Sequence, residues 1–495
     1  MTGARLIVEE YLKTIEEVIA TGPYKDDWDT FTDFEVPSWF SRAKFGIFVH
    51  WGIYTMPENS NEWYSRNMYI KGMPAYEHHI KTYGNQKDFG YKDFIPVFTG
   101  EGFDPVEWIR LFKEAGAKYV MPVAEHHDGF QMYKSSISHY NSWEMGPHRD
   151  ILGEIRAAAE KEGLVFCTSS HRAEHWFFMG HGKEFDSDIK DPLKRGDFYW
   201  PAMPEPDNND LFSRPYPSEE YLNDWLVRTC EIIDRYKPRI LYFDWWIQHE
   251  AFRPWLKKLA AYYYNRGIEW GERTAISYKH DAMMFGSGIT DIERGKFTDP
   301  KPYVWQTDTS IARNSWCYTD TLDYKTSKEI IHNLIDVVSK NGNLLLNVGP
   351  RADGSIPEQD VKILQEIGAW LQVNGDAIYD SKVWRKSAEG PTKEIEGQFT
   401  EACVKEYTKE DFRFTVHGSS LYAFALNYPS NGSIVIRSLA ASKDQNLPEF
   451  HGIISGISIL GFDELPVWSK SPEGLSITTK TVQSDWPVVI RIKMK

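Results

Sequence analysis

The sequence predicts a TIM-type (β/α) barrel followed by a small C-terminal antiparallel β-sandwich. Between residues 45 and 350, short apolar runs alternate with amphipathic helical stretches, which is typical of parallel βαβ units. From about residue 382, short alternating segments such as LYAFALNY and VVIRIKMK indicate antiparallel strands. A length of 495 residues accommodates both parts. We therefore expect a barrel domain over residues 1–380, with an N-terminal helical lead-in, and a sandwich domain over residues 381–495.

The predicted barrel strands are aromatic or β-branched runs, and they lie at residues 45–52, 119–130 (with a following loop), 164–171, 240–246, 274–280, 303–308 and 343–350. Amphipathic patterns predict helices at residues 104–117, 151–163, 221–236, 254–266 and 327–342. Asp104 is the expected N-cap of the first of these, with Pro105 at the first helical position. Segment 181–220 is too long for a plain connection, so we expect a loop excursion near the site.

Composition narrows the classes of partner. The formal net charge is −15, so the chain lacks the basic surface expected of a nucleic-acid or anionic-membrane binder. The sequence contains no run of eighteen apolar residues, so we predict no membrane-spanning helix. Aromatic residues make up 15% of the chain, which fits either a large aromatic core or stacking against the C–H faces of sugars. A neutral substrate is the simplest interpretation.

Cysteine usage and the N-terminus bear on the compartment. Cys167, Cys230, Cys317 and Cys403 are scattered without CxxC spacing, which favours buried free thiols in a reducing environment. The stretch MTGARLIVEEYLKTIEEVIATGP lacks the apolar core of a signal peptide. We expect a cytoplasmic protein, with a trimmed secretory signal as the open alternative.

Polar residues at the carboxyl ends of barrel strands form the active site of this fold. Here they comprise several imidazoles around one central carboxylate: His50, Trp51, His126, His127, Asp128, His171, Arg172, Asp244, Lys279 and His280. Neutral imidazoles both donate and accept hydrogen bonds, which suits sugar hydroxyls. Adjacent side chains on a strand point in opposite directions, so we expect no paired metal ligation by His126 and His127. No HExxH motif is present, and neither a metal nor a cofactor is expected.

Asp244 is the candidate catalytic carboxylate. It stands in LYFDWW, directly after an apolar strand, where a carboxylate is costly unless it has a partner or a chemical purpose. The alternative is an N-cap of the next helix. Retaining glycosidases use two carboxyl groups about 5 to 5.5 Å apart, one as nucleophile and one as acid and then base.

Glu293 is the candidate for the second carboxyl group. It lies in TDIERGKF, which we expect to be a Gly-flanked loop after strand 274–280. A surface glutamate paired with Arg294 or Lys296 is the alternative interpretation. Glu62 in NEWYS, after the first strand, is the rival for the role.

Four strings, in order, resemble the α-L-fucosidases of glycoside hydrolase family 29. They are WFSRAKFGIFVHWGIYTMPENSNEWYSRNMY (39–69), AKYVMPVAEHHDGFQMYKS (117–135), LYFDWW (241–246) and SKNGNLLLNVGPRADGSIP (339–357). The resemblance extends from about residue 37 to residue 380. It implies release of terminal α-L-fucose from oligosaccharides or glycoconjugates by a retaining double displacement, without metal or cofactor.

The resemblance also implies roles for individual residues. It implies Asp244 as nucleophile and Glu293 as acid/base, with Trp316 near the methyl group of the sugar. The residues implied to hold fucose hydroxyls are His50, Glu62, Trp63, His126 and His127.

This chain departs from the family pattern at three places. His171, which we also expect to bind substrate, stands where Tyr is common; Lys279 and His280 stand where Arg is frequent; Cys317 stands where Gly is usual. These departures bear on the fine sugar preference. An α-L-galactosidase-like enzyme on the same barrel and a catalytically silent carbohydrate-binding protein stay open as alternatives. The sequence also leaves open the linkage and whether the protein forms a homo-oligomer.

Overall fold

The computed structural model describes residues 3–401, 406–444 and 446–495, with side chains from residue 7 onward. Cys403 lies outside the described residues, whereas the other three cysteines are buried free thiols. Within the described part, no helix is both long enough and apolar enough to span a membrane.

A closed, all-parallel barrel forms the core of the first 350 residues. Its strands are Phe45–Val49 (β1), Tyr119–Glu125 (β2), Val165–Phe166 (β3), Thr168–Ser170 (β4), Ile240–Phe243 (β5), Ala275–Tyr278 (β6), Ile289–Glu293 (β7), Trp305–Ser310 (β8) and Gly342–Val348 (β9). β3 and β4 both pair with β2 and are two segments of one barrel position, so eight positions surround the axis. β1 pairs with both β2 and β9, which closes the barrel and confirms the predicted fold class.

Helices connect and cover these strands. They are Gly3–Thr21 (α1), Ser38–Ala43 (α2), Tyr64–Asn67 (α3), Pro74–Thr82 (α4), Pro105–Glu114 (α5), Ile151–Glu162 (α6), His175–Phe178 (α7), Glu219–Tyr236 (α8), Arg253–Glu269 (α9), Ser327–Ser339 (α10) and Glu358–Asn374 (α11). The predicted start of α5 is confirmed, because the Asp104 side chain accepts from the amides of Val106 and Glu107. The lead-in helix α1 packs on α8 and α9.

The strand β7 was missing from the sequence prediction, which expected a loop there. Its sequence ITDIE has only two apolar residues, and one of the polar residues between them, Asp291, is buried. Gln306 of β8 donates to that carboxylate at 2.8 Å, so a tertiary contact satisfies a residue that local patterning assigns to the surface. The correction matters for function, because Glu293 is the last residue of this strand.

The C-terminal part is a β-sandwich, as predicted. Its strands are Lys382–Glu389 (β10), Phe412–His417 (β11), Ser420–Ala425 (β12), Ser433–Ile436 (β13), Ile454–Ile459 (β14), Val467–Ser471 (β15), Gly474–Thr478 (β16) and Val488–Met494 (β17). They form two antiparallel sheets, ordered β10-β11-β12-β17-β14 and β13-β16-β15. One apolar core joins residues of both sheets. The connection between β10 and β11 reaches back to the barrel, where Gly397 pairs with Lys296.

Candidate active site

A cavity of about 480 Å³ opens at the carboxyl ends of the barrel strands. This is where the fold places active sites. All nine residues that the sequence analysis selected line it: His50, Glu62, Trp63, His126, His127, His171, Asp244, Glu293 and Trp316. Of the other strand-end residues, Lys279 also lines the cavity, whereas Trp51, Asp128, Arg172 and His280 lie outside its lining. Asp128 accepts from Tyr91, and Arg172 is buried in ion pairs with Glu125 and Asp224.

The barrel itself delivers the histidines to the cavity. His50 follows β1, His126 and His127 follow β2, and His171 follows β4. The expectation that His126 and His127 point in opposite directions was wrong. Both residues lie beyond the end of β2, where strand alternation no longer applies, and their ring centroids are 4.3 Å apart.

Asp244 follows β5 and is held by three cationic or donor groups. Its Oδ2 is 3.2 Å from His171 Nδ1 and 3.5 Å from His127 Nε2. Its Oδ1 accepts from Lys279 Nζ at 3.2 Å. Burial alone would raise the pKa of Asp244, but the Lys279 ammonium and the hydrogen bonds from the two imidazoles hold this pKa well below its usual range. Asp244 is therefore an ionised, preorganised carboxylate.

The pKa of Glu293 is shifted in the opposite direction to that of Asp244. Its Oε2 accepts from Lys279 Nζ at 2.7 Å and from Trp245 Nε1 at 2.7 Å. Burial raises the pKa of Glu293 to about 7, because the Lys279 ammonium offsets only part of the desolvation and the Asp308 and Asp244 carboxylates raise it further. At neutral pH this carboxyl group holds a proton in a substantial fraction of molecules.

Lys279 joins the two carboxyl groups; the sequence analysis placed it at a strand end but gave it no role in the site. It follows β6, is 1% exposed, and also lies 3.3 Å from Asp308 Oδ2. Because one Nζ atom contacts Asp244 at 3.2 Å and Glu293 at 2.7 Å, their bound oxygens are no more than about 6 Å apart, which fits the spacing of a retaining pair. Its position at a strand end was the sequence feature that could have identified it.

His50 and His171 each have a tautomer that is fixed by their neighbours. Asn347 donates its amide N–H to Trp316 O at 2.6 Å, so its Oδ1 accepts from His50 Nδ1 at 2.7 Å. His171 Nδ1 donates to the ionised Asp244. The Nε2 atoms of His50 and His171 therefore carry the lone pairs. The lone pair of His171 accepts from Ser169 Oγ at 3.1 Å, which leaves the lone pair of His50 for a ligand. Burial lowers the pKa of both rings, so they are neutral acceptors.

His126 and His127 differ in charge although they are adjacent. Burial lowers the pKa of His126 well below its usual range, and its buried Nδ1 has no partner. Burial also opposes the charge on His127, but the Glu174 and Asp244 carboxylates raise the pKa of that ring to about 9. The pocket thus offers a neutral imidazole and a cationic imidazole side by side.

Two trios could bring metal-ligating atoms within 4.8 Å of one another: His50, His126 and His171, and His127, His171 and Asp244. The Lys279 ammonium beside Asp244 opposes a further cation at the second trio. In the first trio, His171 Nε2 already accepts from Ser169 Oγ, and the lone pair of His50 equally suits a hydroxyl donor. The expectation of a metal-free site stays a prediction.

Glu62 also lines the pocket, and its hydrogen bonds go to the segment that carries Trp316. It is buried, and its Oε2 accepts from the Trp316 backbone N–H at 3.0 Å and from Ser315 Oγ at 3.4 Å. Burial raises its pKa. The Trp316 ring packs 5.3 Å from the His50 ring. Because Glu62 has no contact with Lys279, the geometry favours Glu293 over Glu62 as partner of Asp244.

An ionised carboxylate and a carboxyl group with a raised pKa, joined by a buried cation among imidazole and indole rings at the mouth of a (β/α) barrel, form the arrangement of a glycoside hydrolase. A sequence model described as α-L-fucosidase matches residues 12–376. The chain therefore belongs to the α-L-fucosidase family, glycoside hydrolase family 29, as the four sequence strings predicted.

Named relatives agree over most of the chain. The tissue α-L-fucosidase of Rattus norvegicus is 30% identical over 491 residues, covering 94% of this chain and 92% of the relative. The crystal structure of Thermotoga maritima α-fucosidase with fucose is similar at 30% identity, with a TM-score of 0.72. The structure of the same enzyme with a mechanism-based inhibitor is similar at 29% identity, with a TM-score of 0.74. Each alignment covers 95% of this chain and 100% of the other.

Proposed function

We propose that this protein releases terminal α-L-fucosyl residues from glycans by double displacement, with Asp244 as the nucleophile and Glu293 as the acid/base. The observation that carries the assignment is the shared contact of both carboxyl groups with Lys279 Nζ, at 3.2 and 2.7 Å, with their pKa values shifted in opposite directions.

In the first step, an Asp244 carboxylate oxygen attacks C1 of the fucosyl group. The bond from C1 to the glycosidic oxygen breaks, and Glu293 donates its proton to that oxygen, so the aglycone leaves as an alcohol. The product is a fucosyl ester of Asp244 with inverted configuration.

In the second step, water attacks C1 while the Glu293 carboxylate takes its proton. The ester bond breaks, Asp244 returns as a carboxylate, and fucose leaves with its original configuration. Lys279 helps Glu293 to change from an acid in the first step to a base in the second. Once Asp244 is an uncharged ester, the ammonium faces one charged neighbour fewer, which favours an ionised Glu293.

The remaining pocket suits a neutral deoxy sugar. The Nε2 lone pair of His50 is an acceptor for a sugar hydroxyl group, and the His126 and His171 rings line the same cavity. The Trp316 ring offers an apolar surface for the C5 methyl group, and the Glu62 carboxylate that holds its backbone amide fixes that surface.

The substrate assignment predicts a preference for the methyl group of fucose over the hydroxymethyl group of L-galactose. We expect wild-type protein to release nitrophenol from 4-nitrophenyl α-L-fucoside with kcat/KM roughly 10 to 200 times that for the α-L-galactoside, the range that one small apolar contact supplies. Both rates are measured by absorbance under identical conditions. Comparable rates would contradict the methyl pocket, and binding of fucose without turnover of either compound would favour a silent carbohydrate-binding protein.

The pH dependence of kcat/KM should show the effect of the Lys279 ammonium, which contacts both carboxyl groups. Activity requires ionised Asp244 and protonated Glu293, so kcat/KM should decline above an apparent pKa near 7. Lys279 lowers the pKa of both carboxyl groups. In Lys279→Met both limbs of the profile should therefore move to higher pH, by about one unit or more. Lys279→Arg keeps the charge and should keep the wild-type limbs. Unmoved limbs in Lys279→Met would contradict the assigned role of the cation.

A further inference from the structure

One residue of the cavity lining, Phe399, comes from the C-terminal part of the chain. Residues 396–401, here called the clamp segment, lie along the end of β7 and the residues that follow it. The Phe399 N–H donates to the Glu293 carbonyl at 2.9 Å, and the Glu401 N–H donates to the Arg294 carbonyl at 3.0 Å. Gly397 and Lys296 exchange backbone hydrogen bonds of 3.0 and 3.3 Å. The clamp segment is thus registered directly against the proposed acid/base.

A buried carboxylate anchors this segment. Glu401 Oε1 accepts from Lys325 Nζ at 2.7 Å and from Arg294 Nη1 at 3.1 Å, and its Oε2 accepts from Thr309 at 2.6 Å. Because these partners lie on β8, on the residue after β7 and near α10, the segment is fixed to the barrel at several points. Its geometry at the cavity does not depend on the sandwich alone.

Phe399 stands out within the clamp segment. Its side chain lines the cavity, yet the residue is 53% exposed. Its φ of 56° lies in the left-handed region, which bulky residues rarely adopt. Its ring is nearly parallel to that of Trp245, at 14°, with centroids 6.1 Å apart. Packing in the protein core does not explain why a phenylalanine stands at this position, because about half of the residue is exposed to solvent beside the cavity.

The position of the Phe399 and Trp245 rings indicates which part of the substrate they face. The acid/base must reach the glycosidic oxygen, so the leaving group lies on the Glu293 side of the scissile bond. Trp245 donates to Glu293 through Nε1, and its ring lies 4.2 Å from that of His280. His280 in turn contacts Gln398 at 3.2 Å, which places polar groups beside the rings. Apolar ring faces with a polar rim are suited to a pyranose, which has one C–H face and hydroxyls around its edge.

We propose that Phe399 and Trp245 bind the first sugar of the leaving group, so that the C-terminal part of the chain contributes a subsite for a pyranoside aglycone. This inference rests on the proposed function. Phe399 does not touch the reacting atoms; it is a specificity residue, and it should affect only substrates whose leaving group is a sugar.

The test compares two substrates that share the fucosyl group and differ in the leaving group: a fucosyl-α-1,2-galactoside and α-L-fucosyl fluoride. Phe399→Gly removes the ring and suits the left-handed backbone, so the clamp segment keeps its hydrogen bonds. Phe399→Tyr is the matched control because it keeps the aromatic face. We expect kcat/KM of Phe399→Gly to fall about fivefold to tenfold for the disaccharide and to stay at the wild-type value for the fluoride.

The outcomes separate the subsite from the proposed function. An unchanged rate on the disaccharide would overturn the subsite, as would an equal loss on both substrates, since an equal loss means that Phe399 acts on the acid/base or on the fold. A loss in Phe399→Tyr as large as in Phe399→Gly would also overturn it. Failure of the wild-type protein to hydrolyse the fluoride would instead contradict the proposed function itself.

Discussion

Replacement of Asp244 by glycine is expected to lower kcat by at least about 10⁴-fold on 4-nitrophenyl α-L-fucoside, the scale seen when a covalent nucleophile is removed. The loss follows from the geometry, because Asp244 is the carboxylate that Lys279 and two imidazoles hold ionised at the centre of the cavity. Glycine also opens a space at the position of the carboxylate. Initial rates of nitrophenol release provide the measurement.

Azide distinguishes a nucleophile from a carboxylate with a merely electrostatic effect. In Asp244→Gly, azide can attack C1 from the vacated position, restore part of the rate and form β-L-fucosyl azide, whose configuration is assigned by NMR. Asp308→Asn is the matched control, because Asp308 also contacts Lys279, at 3.3 Å, and its loss should not be rescued. Absence of rescue in Asp244→Gly by azide or formate would count against the covalent role.

Much of the site was predictable because the barrel converts sequence position into spatial position. His50, His126, His171 and Asp244 directly follow a barrel strand, His127 comes one residue later, and parallel strands bring their carboxyl ends to one rim. The departures at His171 and Lys279 were visible in the same way. The effect of Lys279 on the site was not visible in the sequence. Its contact with two carboxyl groups depends on side-chain distances that only the folded barrel defines.

The parts that sequence reasoning missed depend on contacts between distant segments. β7 forms because Gln306 and the neighbouring strands satisfy a polar sequence that has little local strand pattern. Phe399 reaches the cavity from a connection in the C-terminal part, more than a hundred residues beyond Glu293. No local pattern relates these two positions. Loops of this kind are where sequence periodicity carries least information and where specificity commonly resides.

Replacement of Glu293 by alanine should have an effect that depends on the leaving group. A sugar alcohol needs a proton to depart, so kcat/KM for a fucosylated disaccharide should fall by about 10²- to 10⁴-fold. Fluoride departs with little protonation, so formation of the fucosyl ester from α-L-fucosyl fluoride should be nearly unimpaired. Steady-state rates on both substrates, with a burst measurement on the fluoride, give the comparison.

Glu62→Ala decides between the two candidate acids. Glu62 holds the Trp316 amide and does not contact Lys279, so its loss should weaken sugar binding about equally for both substrates. Azide supplies an independent criterion. In Glu293→Ala it should attack the ester of Asp244 and give α-L-fucosyl azide, the opposite anomer to that from Asp244→Gly. If leaving-group dependence and the α azide arose in Glu62→Ala instead, the proton donor would be Glu62, and the contact of Lys279 with Glu293 would be structural.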